Sequence, residues 1–133
     1  MDKTLLSTFR GKKILITGST GFKGSWLSIW LNNLGASVYG YAFEPLSEKD
    51  NFVVSNISDH IKQEYGDICD YFKLKECIDN IQPEIIFHLA AQPIVKEAYD
   101  NPLQTIQTNV LGTANLFEIS KSSKSIKVII NVT

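Results

Sequence analysis

The chain has 133 residues, 44% of them hydrophobic and 20% charged, with a formal net charge of −1. That is one domain's worth of chain, with enough apolar residues for a single core, and its near-neutral balance argues against nucleic acid or an anionic membrane as partner. Cys69 and Cys77 have no metal-ligand company and read as reduced thiols of a cytoplasmic protein, and neither a signal peptide nor an apolar run of bilayer-spanning length is visible.

Residues 1–11 read as a polar lead-in whose Leu5, Leu6 and Phe9 are available to pack on the domain. Residues 13–17 predict a first strand, apolar on successive positions and so buried on both faces, as parallel sheets require. It runs into Gly18, Gly21 and Gly24, spaced G-x-x-G-x-x-G, and residues 22–34 then predict a helix. Glycines in such a turn let backbone N–H groups approach a pyrophosphate, and the helix N-terminus adds partial positive charge. Gly18 is read as the tight turn, Gly21 as the close approach to the ligand and Gly24 as the close packing of helix on strand. The flanking strand and helix distinguish this cradle from an ordinary glycine-rich turn. Trp26 and Trp30, one turn apart on an apolar helix, predict core anchors. Gly35 is a helix stop, and residues 37–42 predict the second strand.

Residues 43–60 are irregular and polar, a length of loop that is usually functional or mobile. Residues 61–65 predict a third strand. Asp70 is a helix N-cap, with Phe72, Leu74, Cys77 and Ile78 facing inward along a helix to about residue 81. Pro83 ends it. Residues 84–89 predict the fourth strand, and Asn101-Pro102 opens a helix that continues to about residue 120. Residues 128–132 predict the fifth strand, of central, doubly buried character. The alternation predicts an α/β, Rossmann-type doubly wound parallel sheet of order 3-2-1-4-5, truncated after the fifth strand, with its ligand outside the carboxyl ends of strands 1 and 4. Residues 1–133 would then be a partial dinucleotide-binding domain, with a substrate domain absent from this chain.

The strand ends supply the expected site. Residues 18–24, including Thr20, Phe22 and Lys23, hold the pyrophosphate, and Asp67 and Ile68 flank the adenine. Leu89, Ala90 and Ala91 are small or apolar, so the cofactor can lie along their backbone. Asp67 has an equal second reading as a turn residue, and Lys23 reads more as a solvated first-turn lysine than as a phosphate ligand. Glu44, two residues past the second strand, is the carboxylate available to the ribose 2′-hydroxyl; it favours NAD, while NADP is not excluded. His88, on a strand with apolar neighbours, reads as a core histidine rather than a catalyst. No metal ligand set has the required spacing, and no residue stands out as general acid, base or nucleophile.

Residues 17–24 (Thr-Gly-Ser-Thr-Gly-Phe-Lys-Gly), 88–92 (His-Leu-Ala-Ala-Gln) and 108–113 (Thr-Asn-Val-Leu-Gly-Thr) together resemble the extended short-chain dehydrogenase/reductases. Within that family, residues 21–28, 40–45 and 88–93 with Val95 resemble the CDP-glucose 4,6-dehydratase branch. The resemblance runs from about residue 11 to residue 133. It implies that NAD oxidises the sugar at C4, that water leaves across C5 and C6, and that the hydride returns to C6, in deoxysugar synthesis for surface polysaccharide. By position it implies that Thr108 is among the cofactor contacts and that Asn109 is the helix asparagine supporting the proton relay. Gln92, Pro93 and Val95 would face a nucleotide-sugar substrate, and Thr133 would stand at the mouth of the active site. The family's Tyr-x-x-x-Lys pair and Ser/Thr-Asp-Lys cluster are expected beyond Thr133, so the 133 residues alone are expected to be inactive. A homo-oligomer is expected of the full-length protein, and association through the fifth strand's edge of the fragment. Two other readings stay open: a sugar-nucleotide epimerase or reductase of the same family, and a non-catalytic NAD(P)-sensing module.

Overall fold

A computed structural model describes residues 3–132. Five parallel strands form one sheet: β1 (Lys13–Thr17), β2 (Ser37–Ala42), β3 (Lys62–Tyr65), β4 (Ile85–His88) and β5 (Val128–Asn131). Their order is β3-β2-β1-β4-β5, as the alternation predicts. Ile14 pairs with Val38 on one side and Ile85 on the other, so β1 is the central strand. Its successive apolar residues serve opposite faces. Ile14 and Ile16 enter a core with Leu31, Leu34, Val38, Phe52 and Ile57, whereas Leu15 joins Tyr41, Leu74, Ile78, Ile86, Leu116 and Ile119. Period-2 geometry thus converts one short run into contacts with both helical layers.

The first layer contains α1 (Lys3–Phe9), α2 (Phe22–Asn33) and α3 (Asn51–Val54); α4 (Tyr71–Ile81) and α7 (Thr113–Ser122) cover the other face. The lead-in expected at residues 1–11 is therefore helical from Lys3, with Leu5, Leu6 and Phe9 packed against the core. The stretch 43–60 is not wholly irregular either: α3 and a 3₁₀ turn (Ile57–Asp59) bury Phe52 and Ile57. Asp70 caps α4 as expected, its carboxylate accepting from the Lys73 N–H at 3.1 Å.

Two expectations about helix faces are corrected. Trp26 and Trp30 are 53% and 49% exposed, while Gly24, Ser25, Ser28 and Leu31 form the buried face of α2. A Cβ on Gly24 would collide with the Gly18 carbonyl, so the helix must present its small residues to β1. Trp26 lies two residues on, roughly 200° around the helix, and is turned outward. Phe72 is likewise exposed, at 82%; it lies in the first turn of α4, ahead of the buried Leu74, Cys77, Ile78 and Ile81. The helix expected from Pro102 is built in pieces. A short helix, α5 (Val95–Asp100), precedes α6 (Pro102–Ile106), and a π-helical segment (Gln107–Gly112) joins α6 to α7.

Candidate cofactor-binding site

The carboxyl ends of β1 and β4 lie side by side, with Thr17 paired in register with His88. Gly18 follows at φ +73°, a left-handed conformation that favours glycine, and its backbone passes the loop after β4 so closely that a Cβ would come within 2.8 Å of the Ala90 nitrogen. The turn ends at Gly21, which precedes α2 with extended backbone (φ −70°, ψ 168°). A Cβ there would approach only the Gly18 carbonyl oxygen, at 3.3 Å. Each glycine thus has its own geometry: Gly18 turns, Gly24 lets the helix touch the strand, and Gly21 borders space that no protein atom fills. The cap of α2 at Gly21 makes no side-chain hydrogen bond, so its first N–H groups and positive dipole end face that space without a side-chain competitor. These features fit a dinucleotide pyrophosphate.

Around the cradle the other strand ends converge. Thr20 donates to the Phe43 carbonyl at 2.9 Å, tying the glycine loop to the end of β2. Phe22 and Lys23 are exposed in the first turn of α2, and Glu44 is exposed beyond β2. Asp67 accepts from the Cys69 N–H at 2.8 Å, which gives its carboxylate a turn role, and the Tyr41 hydroxyl donates to its carbonyl at 3.1 Å. Burial, with the nearby Cys77 and Asp70, holds the Tyr41 phenol protonated well above its ordinary range. The Ile68 side chain is buried in the core, and its carbonyl accepts from Asn115. Leu89 and Ala90 each donate an N–H to the Thr17 hydroxyl at 3.2 Å; Ala91 follows them in the same loop.

Of the residues assigned to substrate and relay, Asn109 and Gln92 are brought together. The Asn109 side chain pairs with the backbone of Gln92, accepting from the N–H at 2.7 Å and donating to the carbonyl at 3.1 Å. The Gln92 side chain is itself engaged, accepting from the Ile94 N–H at 2.6 Å and donating to Thr105 at 3.1 Å. Thr108 and Asn109 both sit in the π-helical segment, whose wider turn is a frequent mark of functional sites. Pro93 follows Gln92, and Val95 opens α5 with 70% exposure. Thr133 lies outside the described residues.

Sequence reasoning missed Thr17, Thr113 and Thr105, because a threonine's hydrogen-bond partner is set by pairing between distant segments. His88, read as a core histidine, is buried, with both ring nitrogens engaged: Nδ1 lies 2.6 Å from Thr17 Oγ1 and Nε2 2.9 Å from Thr113 Oγ1. Burial lowers its pKa below the usual histidine value. Among the described residues no group of His, Cys, Asp and Glu is placed to hold a metal, and no helix is long and apolar enough to cross a membrane.

The sequence profile of the GDP-mannose 4,6 dehydratase family matches residues 15–133. The CDP-glucose 4,6-dehydratase of Salmonella typhimurium is 44% identical over 125 residues, covering 94% of this chain and 35% of that enzyme. The dTDP-glucose 4,6-dehydratase of Escherichia coli is 35% identical over 114 residues, covering 80% of this chain and 30% of that enzyme. Among solved structures, an epimerase of Methanothermobacter thermautotrophicus superposes with a TM-score of 0.81 at 28% identity, over 96% of this chain and 37% of its own. The UDP-glucose 4-epimerase of Thermotoga maritima, solved with UDP-glucose, gives 0.79 at 29% identity, over 90% of this chain and 37% of its own. The chain thus spans about a third of the length of these proteins.

Proposed function

The chain belongs to the GDP-mannose 4,6 dehydratase family, and from that membership we propose that it is the NAD-binding part of a nucleotide-sugar 4,6-dehydratase acting on CDP-glucose. The observation that carries the reading is the cradle around Gly18, Gly21 and Gly24, held against residues 89 and 90 at the ends of β1 and β4. The Salmonella enzyme's greater identity favours CDP-glucose over dTDP-glucose.

NAD, when bound, supplies the hydride acceptor and donor for oxidation at sugar C4 and reduction at C6. The chain's own residues bind and orient. The N-terminus of α2 faces the pyrophosphate, with Thr20 and Lys23 at its rim. Glu44 reads the 2′-hydroxyl of the adenosine ribose and repels a 2′-phosphate, which gives a modest preference for NAD. Ala90 and Ala91 leave room for the cofactor along the backbone, and Thr108 borders it. Asn109 holds the Gln92 backbone, so that Gln92, Pro93 and Val95 present one edge to the sugar nucleotide. A cytoplasmic location suits the free thiols and a nucleotide-linked substrate.

Incubating the full-length protein with CDP-glucose and NAD should give a 4-keto-6-deoxy product with loss of one water. The 133-residue chain alone should bind NAD weakly and give no product, since acid–base groups typically contribute about 10²–10⁴-fold to such a step. Conversion of CDP-glucose to its C4 epimer without water loss would favour an epimerase, the class to which the two superposed structures are assigned by name. Tighter binding of NADP than of NAD would overturn the role given to Glu44.

A further inference from the structure

The polar groups around His88 fix where its proton must be. The Thr17 hydroxyl receives the Ala90 N–H at 3.2 Å and shares the Leu89 N–H, also at 3.2 Å, with the Thr17 backbone carbonyl, which lies nearer to it at 3.1 Å. N–H groups can only donate, so the hydroxyl oxygen accepts there, and its own hydrogen is available for His88 Nδ1 at 2.6 Å. Nδ1 can then serve as the acceptor. At the other end, the Thr113 hydroxyl donates to the Asn109 carbonyl at 2.8 Å. With its hydrogen engaged there, it accepts from His88 Nε2 at 2.9 Å. The Thr113 end sets the neutral tautomer with the proton on Nε2, and the Thr17 end accommodates it. Among the described residues no buried side-chain nitrogen or oxygen lacks a partner, so the assignment leaves every such group satisfied.

This chain of bonds has one direction and links the loop after β4 and the π-helical segment to the sheet. From the N–H groups of Leu89 and Ala90 it passes through Thr17, His88 and Thr113 to the Asn109 carbonyl. The Asn109 side chain then returns to both backbone groups of Gln92. Residues 89–92 are thereby pinned at their start by Thr17 and at their end by Asn109, with His88 as the buried bridge between β1 and the π-helical segment.

We propose that His88 is a positioning residue: through Thr17, Thr113 and Asn109 it sets the loop 89–92 against which the nicotinamide half of the cofactor lies. The proposal rests on the reading of the cradle as an NAD site. It also separates two halves of one ligand. The α2 N-terminus and the glycine turn hold the pyrophosphate without the chain of bonds, whereas the loop beyond β4 depends on it.

Thr113 offers the cleanest probe, because it lies outside the cradle and Thr113→Val is nearly isosteric. In the full-length protein, affinities for NADH and for ADP-ribose, which lacks nicotinamide, are measured by calorimetry for the wild type, Thr113→Val and Thr113→Ser. The valine variant should bind NADH about tenfold more weakly while ADP-ribose affinity changes by less than about twofold, and serine, which keeps the hydroxyl, should restore NADH binding. Equal losses for both ligands would reduce the chain of bonds to general structural support and overturn the proposal, as would an unchanged NADH affinity in the valine variant. A wild type that binds neither ligand would instead show the NAD reading itself to be wrong, and the proposal would fall with it. Nitrogen-15 NMR of His88 in the unmutated protein is a second test, one that needs no variant to fold. A protonated Nε2 and bare Nδ1 are expected, and the opposite tautomer would overturn the proposal.

Discussion

Gly21 and Gly24 stand three residues apart in one turn, yet their substitution should fail in different ways. At Gly21 a side chain meets little protein, and the backbone is one that any residue adopts. Gly21→Val should therefore fold, and lose dinucleotide binding because its methyl groups occupy the ligand's space. At Gly24 a Cβ collides with the Gly18 carbonyl, so Gly24→Ala should cost stability directly, by about 1–3 kcal/mol. Calorimetric titration and urea unfolding of the two variants separate binding from folding; equal NAD affinity for Gly21→Val and wild type would make the glycine loop merely a turn. His88 adds a pH dependence. Its folded pKa is lowered by burial below the ordinary 6.5, so the unfolded chain takes up a proton first. The stabilisation is fully present above pH 6.5 and is lost as the pH falls through the lowered value. The urea midpoint should drop more steeply with acid in the native chain than in His88→Gln. The glycine assignments were legible because strand, spacing and helix lie in one stretch of sequence. The threonine contacts were not, since Thr17 and Thr113 meet His88 only after β1, β4 and α7 have assembled.

Among the elements, the strands were legible almost to the residue: β1, β2 and β4 are short, largely apolar runs bounded by turn residues, while β3, Lys62-Gln63-Glu64-Tyr65, is a polar edge strand. The helix faces were less so. In α2 the spacing of Phe22, Trp26 and Trp30 predicts an inward stripe, but close packing of glycine on strand outranks side-chain size and turns the opposite face to the sheet. The sequence does carry the clue in Gly24, Ser25 and Ser28, a small-residue face that marks close approach as surely as leucines mark burial. The π-helical segment within the 102–122 helix left no such mark; its Asn109 and Gly112 lie against Gln92 and Ile68, which come from elsewhere in the chain. The reassignment of α2 has a measurable consequence. Leu31 is fully buried, so Leu31→Ala should destabilise by about 2–5 kcal/mol. Trp26→Ala, at a half-exposed site, should cost less than about 1 kcal/mol despite removing a far larger side chain. Denaturant midpoints of the two variants decide the matter, and a larger loss for Trp26→Ala would return tryptophan to the core.

At the scale of the whole molecule, the sheet is well covered at its centre and open at one end. β5 pairs with β4 along one side, from Val128 opposite Ile85 to Asn131 opposite His88, and no strand among the described residues pairs with its other side. The doubly buried character read in its sequence is unmet here: Val128 is 47% exposed, Ile130 37% and Val132 42%. Only Ile129 packs against the covered face, beside α7. A short apolar strand with free backbone groups and no internal charge or proline is a template for pairing with another chain. Lys127, the nearest charge, is engaged with Glu84 at the strand's start, 3.3 Å away, and so guards little of its length. The 133-residue chain should therefore self-associate through β5. Light scattering against concentration tests this, with Ile130→Lys as the blocking variant. Ile130 is the better choice than Ile129, whose replacement by lysine would bury a charge against the α7 face and confuse association with unfolding. Circular dichroism must show both proteins folded; association in the wild type and its loss in Ile130→Lys are the expected pair of results. A wild-type chain that stays monomeric at high concentration, with β5 protected from hydrogen exchange, would mean that the edge is not the template its sequence and exposure suggest.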